Sequence, residues 1–107
     1  MTRNKFNNTV VFDGEDKFDS KKEYNRWKEL CLLERAGAIS NLKRQVPFVL
    51  IAKSKYGRER KYIADFCYWE NGKYVVEDVK SSATRTQLYL YKKRQMAEIY
   101  DIIILET

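Results

Sequence analysis

The chain contains no histidine, and its 107 residues include two cysteines, one proline and four glycines. Cys31 and Cys67 are far apart and form no CxxC spacing. Thiolate–imidazole zinc sites and His-based nucleophilic triads are therefore excluded, and any bound metal has to be held by oxygen. Both cysteines lie in apolar stretches, which predicts buried, reduced thiols rather than a bridge and favours an intracellular, cytoplasmic setting. No apolar run approaches the ~20 residues of a membrane span and the N-terminus lacks a signal-peptide core, so a membrane is not an expected partner. Acidic residues are also in short supply, 15 against 21 Lys and Arg, for a formal charge of +6. That excess fits a polyanionic partner such as nucleic acid, although many basic proteins carry it for solubility alone. Aromatic residues make up 14% of the chain, which argues against disorder, and the length suits one domain with a modest core.

The most informative stretch is residues 62–80, YIADFCYWENGKYVVEDVK. Asn71-Gly72 is the dipeptide best suited to a two-residue type I′ hairpin turn. If it forms the loop, Glu70 pairs with Lys73, and counting outward sets Trp69 against Tyr74, Cys67 against Val76, Asp65 against Asp78 and Ile63 against Lys80. These pairs share one face, and the other carries Tyr68 with Val75, Phe66 with Glu77 and Ala64 with Val79. Both faces are mostly apolar, as expected of central strands covered on two sides. Two carboxylates at cross-strand spacing, about 5 Å, repel by about 3 kcal/mol at an effective dielectric of about 20. A shared proton or a bound divalent cation would relieve that cost. Lys80 lies on the Asp78 face, within reach of whatever the carboxylates hold. The plainer alternative is a solvated hairpin with ordinary surface charges; the flanking Ile63, Cys67, Val76 and Val79 are not surface choices.

Around this hairpin the chain divides into an N-terminal arm (1–17) and one domain (18–107). Residues 1–8 read as a loose polar arm, and residues 9–18 as a small hairpin across Asp13-Gly14. Asp19 or Ser20 caps a helix with Glu23 at the capping-box position and Gly37 as the stop. Helical spacing puts Glu23, Trp27, Leu30 and Glu34 on one stripe, flanked by Cys31 and Leu33. Glu23 is then either a cap or a third carboxylate aimed at the sheet. Residues 46–51 read as a strand with Pro47 near its start, preceded by Gln45, which either points into a site or bonds a loop. Residues 52–61 hold five basic residues (Lys53, Lys55, Arg58, Arg60, Lys61) and one acid around Gly57. This basic tip is either a solvated loop or a phosphate contact. After the polar turn 81–84, a helix is expected from about Thr86 to Tyr100, with Leu88, Tyr91, Lys92, Gln95 and Ile99 facing inward. Residues 102–105 read as a buried strand. Helix, three strands, helix, strand gives an α/β (α+β) mixed sheet flanked by helices.

Glu23 on the first helix, Asp65 in the second strand and Asp-x-Lys (Asp78, Val79, Lys80) in the third resemble the PD-(D/E)XK nuclease superfamily. The order of elements resembles that superfamily's restriction-endonuclease-like core. FDSKKEYNRW, the 45–47 stretch, residues 62–80 and the Lys-rich last helix are similar to a small phage family described as Holliday-junction-resolvase-like. The likeness covers nearly the whole chain from Phe18. Ala64, rather than Pro, precedes Asp65, a departure at a loose position. Glu77 adjoins Asp78 but points to the opposite face by strand parity, so the metal is assigned to Asp78.

The resemblance implies a Mg²⁺-dependent endodeoxyribonuclease, with Mn²⁺ as a substitute. It would act on branched DNA in phage recombination or DNA processing, as a homodimer in the host-cell cytoplasm. Asp65 and Asp78 would hold one or two ions, with the Val79 carbonyl as a further oxygen ligand and Glu23 ligating directly or through water. Lys80 would position or deprotonate a water and stabilise phosphate charge, and Gln45 and Lys92 would serve substrate phosphate or site geometry. Two other readings compete: an inactive nucleic-acid-binding module with the same fold, and a structural protein whose carboxylates form ordinary salt bridges. Metal-dependent cleavage separates the first two, and protein binding without DNA affinity marks the third.

Overall fold

Residues 9–107 are described by a computed structural model. Its elements are β1 (Val11–Asp13), β2 (Asp16–Phe18), α1 (Lys21–Arg35), β3 (Ser40–Ile51), β4 (Arg60–Glu70), β5 (Lys73–Asp78), α2 (Gln87–Tyr100) and β6 (Leu105–Glu106). The loose arm expected over residues 1–8 lies outside the described residues. A four-stranded mixed sheet runs in the order β3-β4-β5-β6, antiparallel except for the parallel β5–β6 pair.

Asn71 and Gly72 both take left-handed backbone, φ 52° and 76°, as a type I′ turn requires. The β4–β5 ladder has the register counted from that turn, from Glu70↔Lys73 to Phe66↔Glu77. Beyond Phe66 it splays: Asp78 pairs with Glu106 of β6. The first hairpin turns one residue later than expected. Asp13 pairs with Asp16, leaving Gly14 (φ 62°) and Glu15 as the loop. Only Gly14 has positive φ, the pattern of a type II′ turn.

Ser20 caps α1, accepting the Glu23 N–H at 3.1 Å. Gly37, at φ 82°, closes the other end in a Schellman arrangement: its N–H donates to the Glu34 carbonyl and that of Ala38 to Leu33. Leu30 and Glu23 are buried, but Leu33 is exposed and Cys31 only half-buried, so the buried stripe is narrower than periodicity implied.

Two apolar clusters hold the fold. Leu30 and Trp27 of α1 pack with Phe66, Tyr68 and Val75, the Trp27 and Phe66 rings stacking at 5.9 Å. Tyr89 and Met96 of α2 pack with Leu50, Tyr62, Ala64, Cys67, Val76 and Ile104. Ala64 and Cys67 thus share a cluster although three residues apart, while Phe66 belongs to the other. The two-residue alternation expected through the hairpin breaks at Asp65. Opposite it, between Arg44 (paired with Phe66) and Val46 (paired with Ala64), Gln45 has left-handed backbone, φ 53°.

β3 begins at Ser40, six residues earlier than expected, because its first half is polar and interrupted by a register shift near Asn41 (φ 53°). β6 is shorter than the apolar run 102–105: only Leu105 and Glu106 join the sheet, though Ile104 is buried. Thr86, rather than the preceding turn, caps α2, accepting from the Tyr89 N–H. The buried face of α2 is that of Tyr89 and Met96; the stripe expected to face inward is rotated outward, leaving Leu88, Tyr91 and Ile99 exposed.

Candidate functional site

The splay between β4 and β5 opens a cleft of about 340 Å³ lined by Asp65, Asp78, Lys80, Gln45 and Lys92, with Asp19, Lys61, Tyr62, Ile63, Thr86, Leu88 and Tyr89 completing its walls. Asp65, Asp78, Lys80, Gln45 and Lys92, singled out in sequence, therefore meet in one place. Asp78 is buried and Asp65 half-buried. The Asp65 and Asp78 carboxyls lie within hydrogen-bonding reach of each other. Asp65 Oδ2 also accepts the Val79 N–H at 2.8 Å. Val79 thus touches the site through its amide.

Burial pushes the Asp65 carboxyl well above the ordinary carboxylate range, reinforced by the hydrogen bond and charge of Asp78 and then by Glu23; the Val79 amide acts against this. Two carboxyls this close, out of water, favour a proton or a cation between them. Lys80 supplies part of that compensation, its Nζ 2.9 Å from Asp78 Oδ2 and 4.2 Å above the Tyr89 ring. Its position is held from the other side, where Lys22 Nζ donates to the Lys80 carbonyl at 2.8 Å.

Glu23 is buried on α1, but its carboxylate does not lie in the cleft wall. Its Oε2 is 3.6 Å from Arg44 Nη2. Burial, then Asp19 and less strongly Asp78, raise its pKa, while Arg44 lowers it. Among the described residues no three acidic or thiol side chains are grouped so that one ion could touch them all. Asp65 and Asp78 face the cleft together, and Glu23 lies outside its wall.

Arg44 was not legible in sequence, because β3 was expected to start after it. Its guanidinium lies 3.8 Å over the Phe18 ring, and Nη2 donates to the Lys17 carbonyl at 2.8 Å. Arg44 therefore ties the first hairpin and the Glu23 carboxylate to the sheet. Tyr62 was also missed. Its hydroxyl is buried and faces the Asp78 carboxyl, which it approaches without a well-formed hydrogen bond among the described residues. The hydroxyl thus sits beside the carboxylate pair.

A family model described as "Protein of unknown function (DUF1064)" matches residues 3–105. The chain belongs to this family. No curated protein and no solved structure matches it. The family description assigns no chemistry to this DUF1064 chain.

On the far face of β5, Glu77 is fully buried and has a different occupation. Arg26 grips it in a fork, Nε to Oε1 at 2.6 Å and Nη2 to Oε2 at 3.1 Å. The Tyr68 hydroxyl donates to it at 2.7 Å and the Thr107 hydroxyl at 3.1 Å. With every oxygen satisfied, Glu77 is structural, and strand parity placed it correctly.

The basic tip leads into the cleft. Lys53, Lys55, Arg58, Arg60 and Lys61 are all exposed, and Lys61 lines the cleft itself. The nearest acid in sequence, Glu59, lies 3.8 Å from Lys61, which leaves most of the tip's positive charge uncompensated. Among the described residues no helix is long and apolar enough to cross a membrane.

Proposed function

We propose that this protein is a divalent-metal-dependent DNA endonuclease built on a restriction-endonuclease-like core. The observation that carries the reading is the Asp65–Asp78 carboxyl pair, which shares a cleft with Lys80. Carboxylates are hard oxygen donors that suit Mg²⁺ or Mn²⁺, so the Asp65–Asp78 pair fits such an ion. Asp65 and Asp78 would hold it. When bound, the ion supplies charge neutralisation at a phosphate and lowers the pKa of water.

The chain's own residues account for the rest. The Val79 amide orients Asp65, while Lys80, Lys61 and Lys92 line the cleft and present positive charge to a phosphodiester. Lys80, held against Asp78, is placed to stabilise charge developing on phosphate oxygens. Glu23 adds negative charge behind the pair, favouring a cation over an empty site. DNA rather than another polyanion, branched geometry and a homodimer rest on the resemblance to the Holliday-junction-resolvase-like family. A homodimer is also what cutting two strands of a junction by symmetry requires.

The test is a cleavage assay on linear, flapped and four-way DNAs with Mg²⁺, Mn²⁺ or chelator. Cleavage that needs the metal and favours branched substrates supports the reading. DNA binding without cleavage under any metal would make the protein a binding module.

A further inference from the structure

The stripe on α2 that sequence periodicity assigns to the core is not in the core. Leu88 and Tyr91 are 58% and 66% exposed. With Lys92 and Gln95 they line a groove of about 270 Å³, closed on the opposite side by Ile51 and Arg60 from the open end of the β3–β4 pair. Folding does not explain an apolar stripe turned to solvent, and contiguous exposed apolar surface usually marks a contact. The groove shares Leu88 and Lys92 with the carboxylate cleft, so the two are one continuous surface.

We propose that this groove is a subsite for an unpaired nucleobase, next to the phosphate held at the Asp65–Asp78 cleft. This inference rests on the nuclease reading above and deepens it, because it names the state of the DNA at the cut. Three features select the occupant. The groove has no carboxylate in its lining, and Arg60 and Lys92 flank it, so it suits a polyanion better than an acidic or neutral peptide. Its apolar surfaces, Leu88, Tyr91 and Ile51, suit the flat face of a base, and aromatic stacking accepts any base. Gln95 offers both a donor and acceptor to a base edge. A base inside a duplex reaches such a groove only by leaving its stack, which costs a few kcal/mol, whereas a base at a junction, flap or bulge is already free. The groove therefore favours substrates unpaired beside the scissile phosphate.

The test uses the full-length protein in chelator, so that binding is read without cleavage. Oligonucleotides carrying 2-aminopurine are titrated as a single strand, as a bulge in a duplex and as a full duplex, following fluorescence. The unpaired probes should bind more tightly than the duplex and change in fluorescence as the label stacks. Tyr91→Ala should weaken their binding about 5- to 150-fold, the range expected for loss of one base–aromatic stack, with little effect on the duplex. Tyr91 is largely exposed, and a matched thermal melt confirms that the variant is folded. Equal binding of all three probes, unchanged by Tyr91→Ala, while metal-dependent cleavage persists, would overturn the subsite and leave the nuclease reading standing. Absence of both DNA binding and cleavage would overturn that reading, and the subsite with it.

Discussion

Asp65 Oδ2 accepts the Val79 N–H at 2.8 Å, so the strand end that carries Asp78 and Lys80 is fastened to Asp65 by its backbone. This bond replaces the next rung of the β4–β5 ladder, which stops at Phe66↔Glu77. The carboxyls meet because the strands part at that point, and the amide bond holds them at the parting.

The first prediction concerns pH. The Asp65 and Glu23 carboxyls are both raised above their ordinary values, chiefly by burial. A group raised in the folded state costs nothing below its unfolded pKa, near 4. As pH climbs from there, the unfolded chain loses its proton first, and stability falls until the folded pKa is passed. Metal-free protein should therefore melt at a lower temperature at pH 8 than at pH 5. Glu106, held down to about 2 mainly by Lys93, acts with the opposite sign but only below about pH 4.5, outside this window. Asp65→Asn should flatten the slope, and a slope equal to wild type would show that Asp65 is not the source.

Glu77→Gln supplies the contrast from the opposite face of β5. Gln cannot accept the Arg26 fork as a charge. Arg26, half-buried and still paired with Glu29, loses its charge-assisted bonds to this buried side chain, a cost of about 1.5–3 kcal/mol. Chemical denaturation should show that loss, while metal-induced stabilisation of the remaining folded protein and its cleavage persist. Loss of metal response with full stability would exchange the roles of Glu77 and Asp78.

Glu23→Gln separates support of the site from support of the helix. The Ser20 cap bonds the Glu23 backbone amide, which the substitution leaves in place. Gln gives up the charge that faces Arg44 but also relieves the burial that disfavours the ionised carboxylate. The two effects oppose, so the loss of stability should be smaller than for Glu77→Gln. Activity should fall strongly, because the negative charge behind the carboxylate pair is gone. A destabilised protein whose folded fraction cuts normally would reduce Glu23 to a partner of Arg44.

DNA affinity should weaken steeply with salt. Neutralising two residues of the exposed tip, Lys55 and Arg58, should flatten the log–log slope by about two units. An unchanged slope would mean that the tip faces away from the duplex.

Much of the site was legible because one dipeptide fixes it. Asn71-Gly72 sets the register, register sets parity, and parity puts Asp78 and Glu77 on opposite faces. The α1 caps were equally local, since Ser20 and Gly37 act within one turn. The rest depends on contacts between distant segments. Nothing in NLKRQ announces a strand that bends at Asn41 and Gln45, so Arg44 was missed. The break in alternation at Asp65, which buries Tyr62 beside Asp78, arises where β3 bends and β5 leaves. The α2 stripe was detected correctly as a pattern but assigned to the core, because periodicity gives the face of a helix and not what covers it.

The most direct measurement is thermal melting of wild type, Asp65→Asn, Asp78→Asn and Lys80→Ala with and without Mg²⁺, beside plasmid and junction cleavage by the same samples. Mg²⁺ should raise the wild-type melting temperature by binding the folded state. Both Asn variants should lose that gain and all cleavage. Asp65→Asn should leave metal-free stability equal or higher, because a buried carboxyl that has to hold a proton is removed, whereas Asp78→Asn also loses the Lys80 ion pair. Lys80→Ala should keep the gain and lose cleavage. Mg²⁺ stabilisation and cleavage that survive Asp78→Asn would contradict the metal site at the centre of this account.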